Sequence, residues 1–345
     1  LKAIGGFSEV KLKPFLTFPL DERWIYYETE HKWLNEARSE FGTNLDDNEF
    51  LITVPEPRKA SETRPLFATT LVNLHVHERG SVVIPRETRG DDLLADRDAN
   101  LGEPAWRALR AHFGLKGERR NDDARGLAGR FLRLALAILH APAYQADHLS
   151  ALSSDWAHLP IPKDARLFER LAELGNMVAR LLSAHCDPHE QIIVVLGQER
   201  AAQLAQLRKL NGTAIRPQDL KVTVNYWGGA KGRWVARPFT ADEYSLPVWG
   251  DRTGDLQIAD GVYFANIPEA VWRYELAGYP VLKQWLGYRQ ADRRGESPLN
   301  PEERRWFKSM VQRIAALLAL GARLDELYSA ASENAFTAAD LDIPR

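Results

Sequence analysis

Between residues 208 and 237 the sequence gathers seven cationic side chains against one anion. The cations are Arg208, Lys209, Arg216, Lys221, Lys231, Arg233 and Arg237; the anion is Asp219. The local charge is +6 in a chain of net charge −2. Tyr226, Trp227 and Trp234 are interleaved with these charges. Such a segment suits a polyanion. Its cations neutralise phosphates, a guanidinium can reach base edges in paired hydrogen bonds, and aromatic rings can stack on an unpaired base. A solvated hairpin with Trp and Tyr packed across its strands has the same pattern. Lys221, Tyr226, Trp227, Lys231, Arg233 and Arg237 are the candidate DNA contacts. His75 and Arg79, at an expected strand end before Ser81, form a second candidate group.

Other chemistry lacks its residues. His75-Val76-His77 would put two imidazoles on one strand face, and His185-Cys186-Asp187-Pro188-His189 holds four possible ligands in five residues. Zinc takes four ligands, usually as two separated pairs, and no second pair is evident. The second cluster reads instead as a helix end at His185 and a turn at Asp187-Pro188. No spacing of carboxylates singles out a general acid and base. There is no Pro-Pro pair, so the Asn/Asp-Pro-Pro-Tyr/Phe loop that holds a flipped adenine is missing. The nearest phosphate-loop match, Gly228-Gly229-Ala230-Lys231-Gly232, has the wrong spacing and no Ser/Thr. No Gly-x-Ser-x-Gly elbow occurs. The chain is expected to carry no catalytic residue, metal or cofactor of its own.

The elements that must position these residues follow from periodicity. Residues 1–90 read as mainly β: Trp24–Tyr27, Leu51–Val54, Leu71–Val76 and Ser81–Ile84 are short runs bounded by Pro, Gly or Asp. The charged stretch 86–103 reads as a loop or a partly ordered insertion. Residues 104–186 are helical, with Leu127, Phe131, Leu134, Ile138 and Leu139, then Leu167, Leu171, Leu174, Val178 and Leu181, at helical spacing. Asp164 stands at an N-cap, and Leu159-Pro160-Ile161-Pro162 separates the two helices. Ile192–Leu196 suits a strand and Glu199–Leu210 a helix. Lys221–Trp227 and Arg233–Val235, around a glycine-rich tip, have the pattern of a hairpin. Asn300-Pro301-Glu302-Glu303 starts a last helix, whose stripe is Trp306, Met310, Ile314, Leu317, Gly321, Leu324 and Tyr328. Trp272, Trp285 and Trp306 read as core residues.

The 345 residues are 45% hydrophobic and 27% charged, which excludes wholesale disorder and suits more than one packed unit. Three subdomains are expected: β-rich over residues 1–120, helical over residues 121–190, and mixed β/α over residues 191–345. The fold class is α+β. Cys186 is the sole cysteine, so no internal disulfide forms, and a reducing, cytoplasmic setting is expected. No apolar run is long enough to span a bilayer. The balance of 33 Arg to 12 Lys favours bidentate phosphate or guanine contacts, or simply reflects codon usage. The start, Leu1-Lys2-Ala3-Ile4-Gly5-Gly6, has neither an initiator Met nor a signal sequence, as expected of a piece of a longer chain.

Three separated segments resemble one family. Phe18-Pro19-Leu20-Asp21-Glu22-Arg23-Trp24-Ile25-Tyr26-Tyr27 resembles an Arg-Pro-Phe-Asp-x-Arg-Trp-x-Tyr-Tyr motif. Ala137–Tyr144 with Asp155–Pro160 resembles Ala-x-Leu-x-Ser-Pro-x-Tyr…Asp-Phe-Pro-Arg-Ile-Pro. Gly261–Phe264, Ile267–Trp272 and Gly278–Arg289 resemble a signature containing Gly-Gly-Tyr-x-Val-Leu-Lys-x-Trp-Leu-x-x-Arg. These motifs are similar to the C-terminal specificity region of type ISP restriction–modification enzymes, over about residues 10–328. Departures are Leu20 for Phe, Ala141 for Ser, Ala157-His158 for Pro-Arg and Ala277 for the first Gly of the pair.

The resemblance implies sequence-specific recognition of double-stranded DNA that directs adenine N6-methylation and restriction by upstream domains. It implies a parent chain with a methyltransferase domain that uses S-adenosylmethionine and a translocase that uses ATP and Mg2+. The motif positions are mostly aromatic, Gly and Pro, so they do not themselves pick out base-reading residues. A docking or scaffold module, with the stripe of the last helix as an interface, is the alternative.

Overall fold

The computed structural model describes residues 6–29, 34, 39–55, 63–77, 80–89, 97–114, 122–223, 233–290 and 297–341. The chain is 45% helical and 21% strand, with the strands in small separate sheets, which is the α+β class. Two compact units emerge, residues 1–186 with 322–345, and residues 187–321.

In the first unit, β1 (Leu12–Phe18) pairs antiparallel with β2 (Asp21–Tyr26) and parallel with the short β5 (Leu71–Val72). A second sheet sets β3 (Phe50–Thr53) between β4 (Leu66–Ala68) and β6 (Val82–Pro85). The expected strand over 71–76 ends at Val72. Asn73 Oδ1 accepts the His75 N–H at 2.9 Å and Asn73 O accepts that of Val76 at 3.0 Å, so Leu74–His77 form a turn. Local side-chain capture of this kind competes with a ladder. His75 is therefore exposed and His77 buried, and the two imidazoles do not share a strand face.

The stretch 86–103, expected as a loop or a partly ordered insertion, carries an antiparallel ribbon, β7 (Glu87–Arg89) with β8 (Arg97–Ala99). Its charges do not prevent a strand because they are paired. The buried Glu87 carboxylate lies 2.8 Å from Arg86 and 3.1 Å from Arg125.

The helices are α1 (Ser39–Thr43), α2 (Glu103–His112), α3 (Asp122–His140), α4 (Pro142–Leu152) and α5 (Ala165–Leu182). Asp164 caps α5 as expected, accepting the Arg166 N–H at 2.8 Å. Pro142 breaks α3 from α4 and occupies the first turn of the latter, where a missing N–H costs nothing. Ala141, where the family has Ser, gives α4 no side-chain cap. Asp325, from the last helix, supplies one in trans by accepting the Ala143 N–H at 2.7 Å.

α3 and α5 pack at close quarters. A methyl group built on Gly175 would lie 1.7 Å from the Arg133 carbonyl oxygen, closer than any real contact. Arg133 in turn grips Glu49 beside β3 through both terminal guanidinium nitrogens. The α5 face that meets this core is Phe168, Leu171, Leu174, Val178 and Leu181, each buried. Each such side chain contributes roughly 1.5–3 kcal/mol by leaving water.

In the second unit the apolar run 192–196 is helical, within α6 (His189–Leu196), not a strand. Asp187 Oδ1 starts it by accepting the His189 N–H at 3.0 Å, and the run alone is too short for periodicity to decide. The helix expected to continue to Leu210 stops at the end of α7 (Gln198–Gln203). Ala205 takes a left-handed φ of 49°, and the chain leaves as β9 (Gln206–Lys209). The remaining strands are β10 (Trp234–Pro238), β11 (Arg252–Ala259), β12 (Val262–Ala265), β13 (Glu275–Leu276) and β14 (Tyr279–Pro280), with α8 (Glu269–Trp272) and α9 (Val281–Gly287).

β13 and β14 are joined by Ala277 and Gly278, at φ 54° and 80°. A two-residue turn with both φ values positive favours Gly at each position, which accounts for the family's Gly-Gly. Ala277 occupies the strained conformation. The last helix, α10 (Pro301–Glu333), opens on a complete capping box: Asn300 and Glu303 exchange bonds of 3.0 and 2.9 Å. It contributes to both units, and its expected stripe is buried at Met310, Ile314, Leu317, Leu324 and Tyr328. Trp272 and Trp285 are buried as expected, whereas Trp306 is only half-buried and lies under Arg313.

Two outcomes test this packing. Gly175→Ala should destabilise the chain by at least about 1–3 kcal/mol, the usual cost of overpacking, in chemical denaturation. His140, fully buried with Nε2 2.9 Å from Pro65 O, has its pKa lowered to about 3, by burial first and then by Arg64. Its neutral form is the folded one. Stability from this group is complete above about pH 6.5 and is lost as pH falls toward 3. Between pH 7 and 5 the loss should be about 2 kcal/mol in denaturant titrations, and His140→Gln should reduce it.

Candidate nucleic-acid interface

The cationic segment belongs to the sheet ordered β10-β11-β12-β9. Its inner row is Trp234, Leu256, Phe264 and Leu207, in register across the four strands. Leu256 and Phe264 are fully buried, and the Phe264 ring lies 4.5 Å from that of Phe307 on α10. Alternation then places the next residues of the strands on the opposite face. That outer row is Arg208, Tyr263, Gln257 and Arg233. Arg208 pairs with Tyr263, Tyr263 with Gln257, and the Gln257 N–H donates to Arg233 O at 3.1 Å. Both arginines are exposed, and Tyr263 and Gln257 are half-buried.

Tyr226, Trp227 and Lys231 lie outside the described residues, as does Arg79. The described ends of their segment are held to neighbouring positions of β11. Thr223 N–H donates to Ile258 O at 2.9 Å, one residue from the Gln257–Arg233 bond. Val222 makes a parallel bridge to Gln290. The Arg233 arm pairs with β11, and Thr223 is held to the same strand; the rest of the expected 221–227 arm lies outside the described residues. Lys221, half-buried, immediately precedes this anchor.

The cations of the segment are not equivalent. Arg237 uses all five of its N–H donors inside the fold. Nη1 and Nη2 meet Glu243 at 2.6 and 2.8 Å, Nε and Nη2 meet Asp255 at 3.1 Å each, and Nη1 also meets Pro238 O at 3.2 Å. Glu243 first and Asp255 next hold the guanidinium above its ordinary pKa, against the cost of burial. Burial alone would raise the Glu243 pKa, but bonds from Arg237 and the Thr240 N–H bring it below its ordinary value. Such a saturated fork has no donor left for a phosphate and acts as scaffold.

Lys209 is likewise committed, 2.8 Å from Asp219. That carboxyl is held low by Lys209 first and then by the Arg216 N–H. Arg208 meets only the amide oxygen of Gln206, at 2.9 Å. Among the described residues, Arg208 and Arg233 have no carboxylate partner. Trp234 is a packing residue: its indole N–H donates to Ile267 O at 3.0 Å, and its ring lies where a side chain on Gly254 would stand.

The second candidate group is split by its turn, with only His75 described and exposed. Among the described residues no three His, Cys, Asp or Glu side chains cluster as a metal site. His185 Nδ1 faces Glu22 at 3.5 Å, and α5 has already ended at Leu182. Sequence reasoning missed Tyr263 and Gln257 as site residues, and counted Arg208 in the charge cluster without selecting it. The polar Gln257 between the apolar Leu256 and Ile258 was the available signal.

Removing Arg237 should leave two carboxylates facing each other at the strand edge. Arg237→Ala is expected to destabilise the chain by roughly 1–3 kcal/mol in thermal or urea unfolding, the range for bonds to charged groups at a partly exposed site.

The profile described as the type ISP C-terminal specificity domain matches residues 3–315. No curated protein matches the chain significantly. Among solved structures, the fold is shared with the DrdV–DNA complex, at TM-score 0.60 and 15% identity, covering 92% of this chain and 28% of that one. It is shared with a nuclease-deletion mutant of the type ISP restriction–modification enzyme LlaGI in complex with a DNA substrate mimic, at 0.54 and 14%, covering 93% and 25%. It is also shared with the ATP-dependent type ISP enzyme LlaBIII bound to DNA, at 0.56 and 12%, covering 94% and 19%. The chain thus spans between about a fifth and under a third of the length of these enzymes. With a profile match over most of its length and the fold to go with it, this chain belongs to the type ISP C-terminal specificity domain family.

Proposed function

We propose that this chain reads double-stranded DNA in a sequence-specific way and directs adenine N6-methylation and restriction carried out by other domains of its polypeptide. The observation that carries the reading is the pair of exposed arginines, Arg208 and Arg233, uncommitted to carboxylates among the described residues, on the open face of a sheet in a type ISP specificity domain. DNA complexes among the structural neighbours support it. The upstream methyltransferase domain is the proposed partner within the polypeptide, in the cytoplasm. Among the described residues no helix is long and apolar enough to cross a membrane.

S-adenosylmethionine, ATP and Mg2+ would be bound by the other domains. The residues of this chain do not fit them: it lacks the adenine-holding loop, and Gly228–Gly232 lacks the spacing and hydroxyl of a phosphate loop. No step of that chemistry falls to this chain. The docking alternative loses its surface, because the stripe of α10 is buried within the chain.

Binding should be dominated by phosphate contacts and hence by salt. Fluorescence anisotropy with a labelled random-sequence duplex should show affinity falling by about 10³ or more between about 50 and 200 mM salt, if six or more phosphates are neutralised. A flat salt response, or no binding, would count against the proposal.

A further inference from the structure

We infer that the outer face of the β10-β11-β12-β9 sheet straddles the DNA major groove. Arg208 and Arg233 would hold phosphates on its two walls, and Tyr263 and Gln257 would face the base edges between them. This rests on the DNA-reading assignment above and adds where and how the contact is made.

The register supplies the geometry. Arg208, Tyr263, Gln257 and Arg233 stand in one row on four successive strands. Three inter-strand steps of about 4.8 Å separate the outer two by about 14 Å. The major groove of B-DNA is about 12 Å wide. A sheet carrying two long guanidinium arms at that separation matches the two phosphate walls rather than one strand of the backbone. The minor groove, about 6 Å wide, is too narrow for the same grip.

The side chains in the row are ordered by reach and chemistry. The long cations are at the ends and exposed, whereas the shorter polar tips of Tyr263 and Gln257 are in the middle and half-buried. An amide bears a donor and an acceptor that match adenine N6 and N7, and a phenol can donate or accept. The ends suit positioning and the middle suits reading, which is how protein–DNA contacts divide.

The neighbouring charges favour the same footprint. Asp255, on the same face one alternation along β11, shares Arg237 with Glu243, which leaves one negative charge there against the two positive charges of Arg208 and Arg233, and Asp219 is offset by Lys209. The row therefore presents net positive charge to an incoming duplex. Its far side is rigid, since the inner row packs on Phe307.

The test uses the whole 345-residue chain and a labelled duplex with a randomised core, followed by anisotropy over a salt series. Selected duplexes are sequenced for each variant. Arg208→Ala and Arg233→Ala should each weaken binding to all duplexes alike, by about tenfold at low salt. Each should reduce the slope of log affinity against log salt by about one. Arg166→Ala, at an exposed cation on α5, should change neither. Gln257→Ala and Tyr263→Phe should keep the salt slope but change the selected sequence, with discrimination at one or two base pairs falling by about tenfold or more. All four side chains are at least partly exposed, so unfolding temperatures should stay near that of the parent.

If the parent chain binds DNA and the two arginine variants match it in affinity and slope, the straddling geometry is wrong while the DNA-reading assignment stands. If Gln257→Ala and Tyr263→Phe select the parent's sequence, the reading role of the middle row is wrong. An A-form RNA duplex bound as tightly as DNA, through the same arginines, would overturn the major-groove assignment, because that groove is too deep and narrow in RNA. Absence of binding to any duplex by the parent chain would overturn both proposals.

Discussion

The sheet that carries the candidate interface depends on one side chain, Arg237. Among the described residues β10 is an edge strand, paired on one side by β11. Edge strands are prone to slip or to recruit another chain unless something holds them. Arg237 ties its own strand to Asp255 on β11 and to Glu243 in the turn that follows, and it leaves no donor unused. Asp255 also accepts the Asn266 N–H at 3.1 Å, at the exit of β12, where Asn266 adopts a left-handed φ of 56°. One guanidinium thus sets the register of β10 against β11, and its carboxylate partner fixes the end of the next strand. Register decides face, since a slip of one residue would send Arg233 to the core side and Trp234 to solvent.

The first unit solves a different problem with similar means. Its sheets are small, and the helices α3 and α5 supply a large share of the apolar core. Their approach is set by Gly175 against the Arg133 carbonyl. The Arg133 side chain then reaches Glu49, and Arg86 bridges Glu49 and Glu87. Paired charges thus sit between strands and helix where an unpaired one would be costly. The departures from the family pattern fit this economy of local substitutes. Ala141 loses a helix cap that Asp325 replaces from another element, and Ala277 accepts a backbone strain that glycine would avoid.

The candidate site was only half legible. A window of residues 208–237 shows seven cations and one anion, but two carboxylates that more than offset Arg237 lie just beyond it, at Glu243 and Asp255. Counting along the chain therefore overstates the charge that faces solvent. It also favours Arg237, whose donors are all committed, and passes over Arg208, which among the described residues meets an amide and no carboxylate. Tyr263 and Gln257 lie on strands beyond that window and join the row only through strand pairing. The hairpin pattern located a strand at 234–238, and the structure adds β11 as its partner on one edge; the first arm beyond Thr223 lies outside the described residues.

What the sequence determined by itself were the features written within a few residues: the Asp164 cap, the Asn300–Glu303 capping box, the helical stripes, the α+β class and membership of the family through its motifs. Such signals act within a turn or two of the backbone, so their partners are neighbours in the chain. Tertiary structure alone decided that 73–77 turns away from a strand, that 206–209 becomes one, and which arginines of a cationic cluster, among the described residues, have no carboxylate partner. A strand's pairing and a charge's neutralisation depend on which groups meet in space. That meeting is fixed by packing between elements far apart in the chain, and no local pattern encodes it.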